Sequence, residues 1–408
     1  MADASAAGAA AAARLDALVD QALAAAQVGS ALQLRVTAPG ATLYARDAGF
    51  TRHDPVPGAP DPVSGAGAPA PVPVPIPRAP VVAATRFDLA SLTKPLCTTA
   101  LVMQLVADGR LELDAPPPVP APPGVTVRHL LAHAAGLSAW RPFHLPYVAA
   151  PEAPPLMARA EVLQAVVAEP PEAAPGARVV YSDLGFLLLG WAVSHAGGAR
   201  LDALFAERIA APLGLAGGRL GFRPARAAAT SEEAARFAAT ELSAWRGRLL
   251  AGEVHDDTAF VMGGVAGHAG LFGDADAVDR VARALCSAWA GVASGPFAPA
   301  VVREFWRRSP FPPPPRALGW DMPSLESYSA AGTLFPRTAV GHTGFTGTSL
   351  WVDPATGLAV TLLTNRVHPS RHDDRGIRAL RAAVHDAAIA LALAHGLPAG
   401  GASGIEAR

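Results

Sequence analysis

Ser91 and Lys94 stand three residues apart, and Lys94 is the only lysine among 33 basic residues. Every other basic position is arginine. Arginine stays protonated wherever a protein puts it, whereas lysine sheds its proton when buried or crowded by cations. A lysine kept where arginine serves everywhere else therefore marks a place where a proton has to move. Serine followed three residues later by lysine is the arrangement of an activated serine nucleophile. On a helix the two side chains share a face. In its first turn the free amides favour the negative charge of a forming alkoxide. Lys94, with a lowered pKa, would take or relay the serine proton.

Two further groups fit such chemistry. Tyr181 is one of four tyrosines and sits in Val179-Val180-Tyr181-Ser182-Asp183. Beside a cationic lysine its phenolate is favoured, and it could serve as general base. The stretch Gly341-His342-Thr343-Gly344-Phe345-Thr346-Gly347-Thr348 is rich in glycine. Glycines in a strand often mark close approach of a ligand to the backbone. Here the amide of Phe345, joined by that of Ser91, would bind an oxyanion.

The elements that must carry these groups follow from the pattern of the chain. Leu15–Ala25 has apolar residues at helical spacing. Ala31–Val36 and Ala41–Ala45 alternate as two strands joined at Pro39-Gly40. Ser91 opens a helix to about Asp108, with Asp88 placed to cap it and Pro95 tolerated in its first turn. Helices are expected over Val127–Ala134, Ala160–Val167, Phe186–His195, Arg200–Ile209 and Ala275–Ala290. Val340–Val352 and Leu358–Asn365 read as strands around the turn Asp353–Gly357, and Asp373–His395 as a closing helix. Strands at both ends with helices between predict an α/β (α+β) fold, an antiparallel sheet flanked by helices and built from both termini. A mostly helical lobe is inserted in it. The expected boundaries are one domain over 14–396, with an α/β lobe of 14–95 and 300–396 and a helical lobe of 96–299. Residues 55–80, ten of them proline, read as a surface loop, and 1–13 and 397–408 as flexible tails.

Composition excludes several classes of function. A net charge of −1 with no basic stripe argues against nucleic acid. No apolar run is long enough to span a membrane. The alanine-rich start lacks the basic and leucine-rich regions of a signal peptide, so a cytoplasmic location is expected unless the true start lies upstream. Cys97 and Cys286 form no framework and read as buried thiols.

The three chemical elements, in this order, resemble the serine β-lactamase and penicillin-binding-protein superfamily. The nearest branch is the class C-like one, which includes D-alanyl peptidases and esterases. Phe87–Lys94, His129–Leu137, Gly263–Phe272 and Leu318-Gly319-Trp320 carry the likeness further along the chain. The resemblance implies a two-lobed serine hydrolase with an acyl-enzyme and no metal or cofactor. It implies that Ser91 is acylated, that Lys94 and Tyr181 relay protons, and that His342-Thr343-Gly344 lines the substrate edge. Substrates would be small molecules or peptides, cell-wall fragments among them. Two residues depart from the family pattern. His342 stands where strong lactamases carry lysine, and Asp183 where asparagine is common. A histidine is charged only when protonated, and an aspartate there would repel an anionic substrate. Both departures suit a carboxylesterase or D-amino-acid peptidase better than a β-lactamase. A non-catalytic binder of wall fragments is the other alternative.

Asn365 is the only asparagine. If the last hairpin turns about Ala355, Asn365 faces Phe345 and Arg366 faces Gly344. Asn365 then either orients substrate or merely ends a strand, and Arg366 or Arg371 would bind a carboxylate. His133, His268, His255-Asp256-Asp257 and His372-Asp373-Asp374 match no metal spacing and read as structural. Asp373 reads as a helix cap and His268 as a neighbour of the cleft.

Overall fold

The computed structural model describes residues 2–24, 28–54, 76–148, 155–224, 230–293, 295–324 and 327–398. Most of the proline-rich loop expected at 55–80 lies outside them. A seven-stranded antiparallel sheet runs in the spatial order Ala41–Gly49, Ala31–Ala38, Leu358–Thr364, Ser349–Asp353, Val340–Thr343, Trp320–Asp321, Arg316–Ala317. The sheet thus joins the two ends of the chain, and the α/β class with strands from both termini holds.

Alternation along Ala31–Ala38 explains what covers each face. Leu32, Leu34 and Val36 pack with Leu15, Val19, Val384 and Leu391, from the helices Ala2–Ala24 and Arg375–Ala394. The intervening Gln33, Arg35 and Thr37 face the helix Ala275–Trp289. There Gln33 Oε1 accepts from the Ala275 amide at 2.9 Å, Arg35 Nε donates to Asp276 at 2.6 Å, and Thr37 donates to Asp279 at 2.5 Å. The strand is buried on both sides, so these polar side chains need partners, and the helix supplies them.

Two expected boundaries change. The helix Ala275–Trp289 packs on the sheet rather than in the inserted lobe, because its acidic residues answer that polar stripe. Residues assigned to a tail are helical from Ala2 onward. Alanine is the strongest helix former, and Ala11, Leu15, Val19 and Ala22 form one buried stripe against the closing helix.

The second lobe is mainly helical, with Leu101, Leu130, Phe186, Leu188 and Phe205 in its core. It also holds a small sheet in which Leu271–Gly273 pairs with Phe87–Asp88 on one side and Leu220–Phe222 on the other. That pairing fixes the chain immediately before Ser91.

Candidate active site

The turn carrying Ser91 is not the start of an α-helix. Ala90–Leu92 is a 3₁₀ turn, Lys94–Thr99 a π-helical turn, and α-helix begins only at Ala100. Pro95 has no amide to give the i→i−4 ladder, and π turns recur at functional sites. Ala90 adopts φ +49°, a left-handed conformation unfavourable for a residue with a Cβ. Two contacts hold it there. Asp88 Oδ1 accepts from the Ala90 amide at 2.8 Å, and Thr93 Oγ1 donates to the Ala90 carbonyl at 2.6 Å.

Lys94 is wholly buried. Its Nζ donates to Ser91 Oγ at 3.1 Å, to Asp183 Oδ1 at 2.7 Å and to the His268 carbonyl at 3.3 Å. Burial alone would lower its pKa, but the Asp183 carboxylate and the Tyr181 oxygen outweigh burial and raise it. The lowered lysine pKa expected from sequence is therefore corrected: this lysine is held as an ammonium ion. Asp183, expected at the substrate edge as a source of repulsion, spends its charge on Lys94. It opens the helix Asp183–Gly197, whose N-cap Ser182 accepts from the Gly185 amide at 3.3 Å.

Tyr181 lies in the extended residues just before that helix. The Lys94 ammonium sits 4.8 Å from its ring centre, and its phenol interacts with both Lys94 and Ser91. Burial holds the phenol above its ordinary value, and the Lys94 ammonium offsets only part of that rise. The neighbouring backbone is fixed by His133, whose Nδ1 accepts from the Ser182 amide at 2.9 Å. Burial keeps His133 neutral, with its pKa well below the usual value.

The segment expected as one strand over Val340–Val352 is instead a hairpin, Val340–Thr343 with Ser349–Asp353. The turn between them is pinned from both sides. Thr346 Oγ1 donates to the Asp88 carbonyl at 2.6 Å and Thr348 Oγ1 to the Leu89 carbonyl at 3.2 Å. On the far side Arg381 Nη2 donates to the Gly344 and Thr348 carbonyls at 2.8 and 2.7 Å. A Cβ on Gly344 would stand 2.6 Å from the Leu89 oxygen, so only glycine allows this approach. The amides of Ser91 and Phe345 have no hydrogen-bond partner among the described residues. Two donors are thus left open on residues that line one cavity.

Ser91, Tyr181, Asp183, His342, Thr343, Gly344, Phe345 and Arg366 line one cavity of about 660 Å³ between the lobes. His342 is buried and its pKa falls to about 4, chiefly through burial, so it is a neutral imidazole at pH 7. Its Nδ1 bonds the Thr343 carbonyl at 2.8 Å, while its buried Nε2 is unpartnered.

Asn365 is not part of this cavity. The hairpin register pairs Leu358 with Asp353 and Val360 with Trp351, one residue away from a turn centred on Ala355. Such a slip reverses which face each side chain takes. Asn365 Oδ1 accepts from the Ser30 and Ala31 amides at 2.9 and 2.8 Å, and Nδ2 donates to Ser30 Oγ and the Ala239 carbonyl at 3.1 and 2.8 Å. It ties three chain segments together, and the substrate-orienting reading is dropped. Arg371 is likewise consumed, bonded to Glu241 and Asp257. Arg366 differs. Among the described residues its guanidinium donates to carbonyls alone, of Phe345 at 2.8 Å, Arg371 at 3.0 Å and Asp373 at 3.4 Å, and lies over the Phe345 ring at 4.4 Å.

Sequence reasoning missed Arg316 and Asp321, an ion pair lining the same cavity, with Arg316 5.4 Å from the Tyr181 ring. The available signal was Gly319, in the noted Leu318-Gly319-Trp320. At φ +77° it turns the chain between their two short strands, and a Cβ there would meet Thr99. Exposed Trp140 at the rim was missed as well. His268 Nε2 bonds Asp256 at 3.0 Å, leaving its carbonyl to Lys94. Asp373 Oδ1 accepts from the Arg375 amide at 3.0 Å. Among the described residues no cluster of three His, Cys, Asp or Glu side chains could hold a metal.

Comparison with known proteins agrees with this architecture. The family model described as Beta-lactamase matches residues 15–385. The chain belongs to the β-lactamase family. Within it, the chain is 32% identical over 305 residues to the N-acetylmuramyl-L-alanine amidase of Bacillus subtilis (strain 168), covering 70% of this chain and 68% of that one. It is 30% identical over 305 residues to a putative D-alanyl-D-alanine carboxypeptidase of Escherichia coli (strain K12), covering 70% of each. The solved structure of EstCE1, a hydrolase with promiscuous acyltransferase activity, superposes with a TM-score of 0.67 at 21% identity, over 93% of this chain and 99% of that one. At that identity the likeness speaks to the β-lactamase-like fold. The chain is a serine hydrolase of this family. No described helix is long and apolar enough to cross a membrane.

Proposed function

We propose that this hydrolase cleaves the amide or ester of a peptide-like substrate through an acyl-enzyme on Ser91, with D-alanyl peptides the first substrate class to test. The observation that carries the reading is a wholly buried lysine bonded at 3.1 Å to a serine hydroxyl that opens on a cavity. Ser91 Oγ attacks the carbonyl carbon, and its proton passes to the Lys94–Tyr181 pair and then to the leaving group. The amides of Ser91 and Phe345 hold the oxyanion, and water releases the acid. Losing one such donor typically costs about 10²–10³ in rate.

Several features favour a peptide over a β-lactam. His342 is neutral, so no fixed cation stands where efficient lactamases have one. Arg366, which has no carboxylate partner among the described residues, could meet the carboxylate of either substrate class and so does not decide between them. Phe345 and Trp140, each half exposed, give the mouth an apolar rim. The names of the curated relatives, an amidase and a putative D-alanyl-D-alanine carboxypeptidase, agree with wall peptides as substrates.

The test is kcat/KM on D-alanyl-D-alanine peptides, p-nitrophenyl esters and penicillins side by side, with Arg366→Gln as control. The reading expects peptide turnover above penicillin turnover, and about a tenfold loss in Arg366→Gln for substrates bearing a carboxylate only. Efficient penicillin hydrolysis with no peptide turnover would replace it with the β-lactamase alternative.

A further inference from the structure

We propose that Arg381 is a positioning residue for the oxyanion site. Its guanidinium, bonded to the Gly344 carbonyl, polarises the peptide unit whose other end is the Phe345 amide and makes that amide a stronger donor. The inference rests on the reading of Ser91 as nucleophile, with the Phe345 amide as one of the two oxyanion donors.

The connectivity of one peptide bond carries it. The Gly344 carbonyl and the Phe345 N–H belong to the same planar, resonance-linked unit. A cationic donor at the oxygen draws electron density toward it, and the N–H at the other end becomes a better donor in turn. Arg381 Nη2 donates to this oxygen at 2.8 Å and to the Thr348 carbonyl at 2.7 Å. The Gly347 amide also donates to the Gly344 oxygen, at 3.0 Å. Both acceptor positions of that carbonyl are thus taken, one of them by a cation. The Phe345 amide has no partner among the described residues, so its added donor strength is left for an incoming oxyanion.

Burial makes the charge count. Arg381 sits in the closing helix Arg375–Ala394 and is only 8% exposed. Among the described residues it bonds no carboxylate, and its buried Nε has no partner. Burial pushes its pKa down to about 10, and it remains a cation at pH 7. The Tyr328 oxygen and Asp374 oppose that fall without bonding it, and Asp374 stands 4.0 Å from Arg378. A buried guanidinium without a carboxylate is costly, and a neutral side chain can meet backbone carbonyls as well. What the cation adds is a fixed positive field beside the place where negative charge develops.

The other arginines lining the cavity are placed differently. Arg366 Nε donates to the Phe345 carbonyl, which belongs to the next peptide unit and ends at the Thr346 amide. Arg371 pairs with Glu241 and Asp257, and Arg316 with Asp321. Arg378 lies over the Tyr328 ring at 4.4 Å. Arg381 alone among them bonds the peptide unit that carries the Phe345 N–H.

Paired substrates separate this polarisation from simple support of the turn. In a p-nitrophenyl ester the negative charge develops on oxygen, and in the matching thionoester it develops on sulfur, a weak hydrogen-bond acceptor. A weaker donor therefore slows the ester and spares the thionoester. Arg381→Gln can still donate to a carbonyl but carries no charge. In it kcat/KM for the ester should fall about tenfold, less than the loss of a whole donor, and the fall should lie in kcat with KM little changed. The ester-to-thionoester ratio should fall by the same factor. Arg381→Lys keeps the charge and should hold that ratio within about threefold of the parent. A ratio unchanged in Arg381→Gln, or one that falls equally in both variants, would overturn the proposal and leave Arg381 as a support of the turn. Should Arg381→Gln not fold, Arg381→Lys decides alone: a retained ratio upholds the proposal and a fall of about tenfold overturns it. Failure of the Ser91 reading is seen separately, as hydrolysis of both substrates that persists in Ser91→Ala.

Discussion

The chain keeps one lysine and one asparagine, and they ended in opposite kinds of place. Lys94 sits under a cavity with one of its three partners a free hydroxyl. Asn365 sits in the scaffold with all four contacts made to other chain segments. Rarity singled out both residues. It did not say whether the irreplaceable property was proton chemistry or a four-way hydrogen-bond pattern. An amide donates and accepts at once, which neither an acid nor a base can do. What separates the two regions is where the unspent bonding capacity lies. Beside Lys94 it belongs to Ser91, Tyr181 and two open amides, and beside Asn365 none remains.

Substitutions at the two places should fail in different currencies. Tyr181→Phe should lower kcat/KM on the order of 10²–10⁴-fold while leaving thermal unfolding almost unchanged. A stability loss in place of a rate loss would put Tyr181 with the scaffold. Asn365→Ala should do the reverse. It leaves buried amides without acceptors, so chemical denaturation should show a loss of about 3 kcal/mol, with kcat/KM per folded molecule within about twofold of the parent. A large rate loss in well-folded Asn365→Ala would return that residue to the site.

The sequence revealed the local arrangement well and the long-range one poorly. Serine and lysine at i and i+3 announce themselves, because chain geometry alone brings them together. The Asp183–Lys94 pair joins residues far apart along the chain, and spacing does not predict it. That pair reversed the expected direction of the lysine pKa. The last hairpin shows a second limit. Its strands and turn were both recognised, yet a register one residue off moved Asn365 from the substrate to the scaffold. The break at Gly344–Thr348, hidden inside an expected strand, arises from side-chain bonds to the chain before Ser91. The helix Ala275–Trp289 was placed in the wrong lobe because its partners, the polar stripe of Ala31–Ala38, lie far away in sequence.

The central claim is that Ser91 is the reactive hydroxyl of a lysine-supported site. Peptide mapping by mass spectrometry after brief exposure to a fluorophosphonate tests it most directly. One adduct, on the peptide containing Ser91 and absent in Ser91→Ala, is the predicted result. An unmodified Ser91, or an adduct of equal yield on another residue, would contradict it.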